Sequence, residues 1–89
     1  MSTVFVRHTV ADYDTWKAGF DEHGATRREY GLTDAGLYRD VDDANNVTIV
    51  LTTDDVGRAR EFVGSDDLRE TMQRVGVVSQ PDVWFTDEA

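Results

Sequence analysis

The chain has 89 residues, no cysteine, and 18 acidic against 9 basic side chains, for a formal net charge of −9. That length sets one small domain, residues 1–89, and the missing cysteines remove disulfides and thiolate metal sites as staples. The acidic excess excludes a basic nucleic-acid face of the usual kind and a polybasic membrane anchor. A chain this short buries only about 60–65% of the surface its unfolded form exposes, so a partner subunit is the staple that remains. Leu, Ile, Val and Phe fill 21 of the 89 positions, just above the ~20% below which a highly charged chain stays unfolded.

Taken in chain order, Thr3 to Val10 alternates Val4, Val6, His8 and Val10 against Phe5, Arg7 and Thr9, the period of a strand. Met1 to Arg7 runs straight into that alternation with no export-signal pattern, so a cytoplasmic protein is expected. Asp12 and Asp14 offer caps and negative charge at a helix start. Tyr13, Trp16, Phe20, His23, Arg27 and Tyr30 then recur at three- and four-residue steps, predicting one helix of about five turns that Gly31 closes. Leu32 to Val41 reads as a weaker strand, interrupted by Asp34 and Gly36. Asp42 to Asn46 is turn chemistry, and Val47 to Thr53 completes a hairpin. Thr53, Asp54 and Asp55 cap a second helix with Val56, Ala59, Phe62 and Val63 inward and an Asp54–Arg58 pair outside. Gly64-Ser65-Asp66 starts a third, short helix, and Pro81 opens a last strand, Asp82 to Thr86. The longest uncharged stretch, Ala44 to Thr53, is half a membrane span.

The order β-α-β-β-α(α)-β predicts an α+β, ferredoxin-like antiparallel sheet with its helices on one face. One strand parity, with Val4, Val6, His8, Val47, Ile49, Leu51, Val83 and Phe85, faces those helices. The other carries Phe5, Tyr38, Val50 and Trp84, more apolar surface than a monomer leaves wet. A homodimer packed through that face about a two-fold axis is the expected cover.

A family resemblance enters on particular residues. The run Val6-Arg7-His8-Thr9-Val10-Ala11-Asp12-Tyr13-Asp14-Thr15-Trp16-Lys17 resembles the start of small dimeric α+β-barrel proteins, the cyclase-like or antibiotic-biosynthesis-monooxygenase-like group. Phe20 to His23, Arg27, Leu37-Tyr38-Arg39, and the tail Phe62 to Met72 with Gly76-Val77 continue the likeness over nearly the whole chain. The resemblance implies two ferredoxin-like subunits whose sheets face each other in a closed dimeric α/β barrel with helices outside. It implies less about chemistry, because that superfamily holds cofactor-free monooxygenases, haem-degrading enzymes, isomerases and polyketide cyclases. The Asn, Trp and His arrangement of the haem-degrading branch has no counterpart here.

Two histidines, His8 and His23, both fall on inward faces and are the candidate catalytic pair. They are expected to share a cavity lined by Trp16, Phe20, Tyr30 and Phe85, mostly aromatic with a few polar groups, as an organic ligand requires. There they would orient or deprotonate an enolisable substrate. The competing reading makes both core-edge histidines, bonded to carbonyls or to Asp12 and Asp21. Arg39 is a candidate for a substrate carboxylate, as is Arg7, against the alternative of ion pairing with Asp40. No HxH or HxxxH spacing supports a metal site, and the scattered glycines form neither a P-loop nor a dinucleotide fingerprint, so no cofactor is expected. No GxSxG elbow surrounds a serine. Two functions stand: a cofactor-independent monooxygenase or cyclase-like enzyme, and a non-catalytic homodimer that binds a small metabolite or serves as an interaction module.

Asp outnumbers Glu 13 to 5 and Arg outnumbers Lys 8 to 1. That composition resembles proteins of salt-accumulating, haloarchaeal cytoplasm, where dissolved salt screens the self-repulsion of an acidic surface. The alternative is an acidic protein from a GC-rich genome. Melting temperature measured against KCl separates the two: a Tm that climbs toward molar salt is expected, and a flat Tm assigns the composition to the genome.

Overall fold

In the computed structural model, which describes residues 1–89, the chain runs β1 (Ser2–Thr9), α1 (Tyr13–Glu22), α2 (Gly24–Glu29), β2 (Thr33–Arg39), β3 (Asn46–Thr53), α3 (Val56–Val63), α4 (Asp66–Arg74) and β4 (Asp82–Asp87). The strands form one antiparallel sheet in the order β2-β3-β1-β4. This is the ferredoxin-like α+β arrangement that the element order predicts. No helix is long and apolar enough to cross a membrane.

Strand parity decides which residues become core. Val4 stands opposite Leu51 and Phe85, Val6 opposite Ile49 and Val83, and His8 opposite Val47. These positions share the face that the helices cover, and Val4, His8, Val47, Ile49 and Leu51 are buried there. Trp16 from α1, Ala59 and Phe62 from α3, and Val75 at the end of α4 complete the packing. Helix α1 approaches the end of α4 so closely that a Cβ on Gly19 would stand 2.0 Å from Val75 Cγ1.

The helix starts follow side-chain chemistry. Asp12 accepts from the Thr15 amide at 3.0 Å and the Thr15 hydroxyl at 2.7 Å. Those two bonds hold its carboxyl below the usual range. Asp55 caps α3 through the Arg58 amide, and Ser65 caps α4 through the Leu68 amide. The expected Asp54–Arg58 pair does not form, because Arg58 donates to the Glu29 carbonyl and lies over the Tyr30 ring.

The single long first helix is corrected. It divides at His23 (φ −84°, ψ 0°), and α2 restarts at Gly24, where glycine is the poorest helix former short of proline. Gly31 closes α2 as expected, at a φ of +77° that favours glycine. Strand β2 is shorter than the predicted Leu32 to Val41, and its register shifts between Asp34 and Gly36, leaving Ala35 as a bulge. Arg7 pairs with Asp40 at 3.0 Å beside the hairpin loop.

The opposite sheet face carries no helix. Gly36, Val50, Phe5 and Trp84 stand in one row across all four strands. The Tyr38 ring lies over Gly36, where a Cβ would meet Tyr38 Cε2 at 2.7 Å. Tyr38 and Trp84 are 61% and 50% exposed.

Candidate functional site

Between the sheet and the helices lies a cavity of about 260 Å³ with a mainly apolar wall. Strands β1 and β3 supply its floor with Val4, Val6, His8, Ile49 and Leu51. Helix α1 brings Trp16 and Phe20, the α1–α2 junction His23, α2 Arg27, and α3 Phe62 and Val63. Leu68, Thr71 and Met72 of α4 complete the wall together with Gln80, Pro81 and Val83. Gln80 is exposed and marks the rim.

His8 belongs to this wall because the parity of β1 turns every second residue toward the helices. It is 4% exposed, and neither Nδ1 nor Nε2 has a hydrogen-bond partner. The competing reading of a carbonyl- or Asp12-bonded core histidine therefore does not describe His8. Its ring meets Trp16 edge-on, with centroids 5.7 Å apart at 76°. Burial penalises the imidazolium and lowers the pKa to about 4. His8 is accordingly neutral at pH 7, offering one donor and one acceptor from its two ring nitrogens.

His23 lines the same cavity and is held differently. Its Nε2 is 2.8 Å from Asp67 Oδ2, joining the α1–α2 junction to α4, and its ring packs against Phe62 at 5.7 Å. The Asp21 that neighbours it in sequence pairs with Lys17 instead. Trp16 and Phe20, one turn apart on α1, stack with centroids 5.0 Å apart. The cavity thus holds His8, His23, Trp16 and Phe20 together.

Two expected cavity residues, Tyr30 and Phe85, and the expected carboxylate binder Arg39 lie outside this wall. Tyr30 follows the end of α2 and packs on Phe62 at 5.3 Å, with Arg58 over its other side. Phe85 has the inward parity but sits nearer the far end of β4, under Arg60 at 4.3 Å. Arg39, at the end of the edge strand β2, stacks over Tyr13 at 3.8 Å and donates to the Ala44 carbonyl at 2.8 Å. Strand parity selected Phe85 and the helical stripe selected Tyr30, and neither period carries information about depth along an element.

Arg27 is a cavity residue that the pattern reading placed on the helix face without a role. It is 4% exposed and binds Asp34 in fork geometry, Nε to Oδ1 at 2.9 Å and Nη2 to Oδ2 at 3.0 Å. Nη1 donates to the Phe20 carbonyl at 2.8 Å, and the guanidinium lies over the Phe20 ring at 3.6 Å. The available signal was an arginine on an otherwise apolar helix face, seven residues from an aspartate that opens a strand.

A scan against protein-family models finds no match, and neither does a search of curated proteins. Solved structures do match. One is an antibiotic biosynthesis monooxygenase at TM-score 0.75 and 12% identity, covering 100% of this chain and 99% of the other. A Bordetella bronchiseptica protein provisionally designated with the same activity gives 0.79 and 17%, over 99% and 96%. SnoaB of Streptomyces nogalater, described as a cofactor-independent oxygenase, gives 0.72 and 15%, over 99% and 94%. The chain shares the fold of the antibiotic biosynthesis monooxygenases. At these identities the likeness concerns architecture, and the side chains of the cavity remain the ground for any chemistry.

The lowered pKa of His8 has a consequence for stability. In the unfolded chain His8 titrates near 6.5, so between about pH 6.5 and pH 4 the unfolded state binds the extra proton. Its contribution is complete above pH 6.5 and is lost as the pH falls toward 4. Urea unfolding at pH 7 and pH 4.5 should therefore show the wild type losing about 2 to 3 kcal/mol more than His8→Phe over that interval. Equal losses in the two proteins would mean that His8 is solvated.

Proposed function

We propose that this chain works as a homodimer whose cavities each bind a small aromatic or enolisable organic molecule and act on it as a cofactor-independent monooxygenase or cyclase-like enzyme. The observation that carries this reading is His8, a neutral imidazole with two unpartnered nitrogens in a mainly apolar cavity that also holds Trp16 and Phe20. Buried polar groups are almost always bonded, and a hydroxyl or carbonyl of a bound molecule supplies the missing partner. The acceptor nitrogen of His8 is then placed to take the hydroxyl proton as negative charge develops on the ligand oxygen. The imidazolium and oxyanion so formed stabilise each other in a site of low polarity. Trp16 and Phe20 hold the ring plane, and His23 with Asp67 braces the wall opposite. In the oxygenase form of this chemistry the substrate itself reduces dioxygen, one hydroxyarene and one O₂ yielding one quinone and one water. The shared fold of SnoaB, itself described as a cofactor-independent oxygenase, supports that form.

A second reading, a binding protein without turnover, is favoured by one specific observation. His8 is 4% exposed, and burial penalises the imidazolium that proton abstraction would form, which makes it a weak base. Oxygen-electrode traces with 1-naphthol separate the readings. Uptake matched one-to-one by 1,4-naphthoquinone, and abolished in His8→Phe, is the enzyme's result. Saturable binding with no uptake assigns the protein to the second class, and the absence of binding removes both.

The dimer rests on the bare sheet face. Phe5, Val50, Trp84 and Tyr38 form a continuous apolar strip across four strands, and the same strip on a second copy is its self-complementary cover. Light scattering in high salt should give twice the 10.0 kDa chain mass, and Trp84→Asp should shift that mass toward the monomer. A monomeric wild type would overturn the assembly.

A further inference from the structure

The charges in the cavity wall say what kind of molecule fits it. Arg27 is the cation of the wall, and its charge is already answered by the Asp34 carboxylate in fork geometry, with the Phe20 carbonyl taking a third donor. Phe20 presents one ring face to the guanidinium at 3.6 Å. His23 is engaged by Asp67. A carboxylate entering this space would be stripped of water without gaining an unspent cation, which costs far more than an uncharged group does. An ammonium group would meet the same obstacle, since no carboxylate lines the cavity. Among fully buried side-chain polar atoms, only the two ring nitrogens of His8 lack a partner.

Size adds a second limit. An apolar protein cavity of about 150 Å³ accommodates benzene. The 260 Å³ here is less than twice that volume, room for one ring or two fused rings.

We infer that the cavity selects uncharged hydroxyaryl molecules of one or two rings, with the Asp34-neutralised Arg27 as the charge filter and His8 as the hydrogen-bond partner of the hydroxyl. This rests on the reading of the cavity as the ligand site. It deepens that reading by naming what distinguishes a ligand from a near-isostere. A hydroxyl satisfies a buried His8 nitrogen, a methyl in its place leaves that nitrogen unpaired, and a carboxylate adds a charge that the wall cannot balance.

Titration calorimetry on the full wild-type chain at pH 7 tests this with 1-naphthol, 1-methylnaphthalene, 1-naphthoate and 1-hydroxyanthracene. The expected order has 1-naphthol binding about tenfold or more tighter than 1-methylnaphthalene, the gap a lost buried hydrogen bond produces. 1-Naphthoate should bind more weakly still, and the three-ring phenol should bind more weakly than 1-naphthol. In His8→Phe the affinities for 1-naphthol and 1-methylnaphthalene should converge. The wild-type series is decisive even where the variant fails to fold. Equal affinity for 1-naphthol and 1-methylnaphthalene overturns the role of His8, and 1-naphthoate binding as tightly as 1-naphthol overturns the charge filter. Both outcomes leave the cavity a ligand site. If none of the four binds, the cavity is not such a site, and the functional proposal falls with the selectivity.

Discussion

All four helices of this protein pack on one side of its sheet, and most of what sets the molecule apart descends from that. The helices run 10, 6, 8 and 9 residues, too short to carpet a four-stranded sheet without a gap. The gap is the cavity, and it opens above β1 and β3, the two central strands. On the far side the same strands show apolar residues to a face with no helix. One side of the sheet is thus incompletely filled and the other is uncovered, and the site and the proposed assembly interface follow from those two shortages.

The strands were the most legible part of the sequence. Alternation in β1 and β3 identifies the buried set without reference to any other element, because a period of two leaves only one choice of face. Helix starts were legible too, since Asp12, Asp55 and Ser65 cap through bonds that span three residues. The interruption at His23 was not, because the apolar stripe through Phe20, His23, Arg27 and Tyr30 continues across it in phase. Within the site, His8 and His23 were read as inward-facing and line one cavity. The Arg27–Asp34 pair escaped notice because it needs α2 to end at Gly31 and β2 to bulge at Ala35 before the two groups meet.

The arginine excess acquires a structural use alongside its compositional one. Arg27 lies over Phe20, Arg39 over Tyr13, Arg58 over Tyr30 and Arg60 over Phe85. A planar, weakly hydrated guanidinium covers a ring face, whereas a compact lysine ammonium holds its water more tightly. In a small chain, such stacking screens aromatic faces from solvent while leaving charge at the surface. Only at Phe20 does it turn inward, and there it removes one ring face from whatever enters the cavity.

The register that joins Ser2 to Asp87 also governs the order in which the molecule can come into being. β1, made before the other strands, sits between β3 and β4, and β4 follows every other element described. Until β4 arrives, one edge of β1 and the Val83–Pro81 part of the cavity wall are missing. The sheet therefore closes only after all the other elements have been made, by contacts about eighty residues apart, the kind that slow folding most. Without β4, the unpaired N–H and C=O groups along that edge of β1 would be open to pairing with another chain, so β4 also serves to cover an aggregation-prone edge.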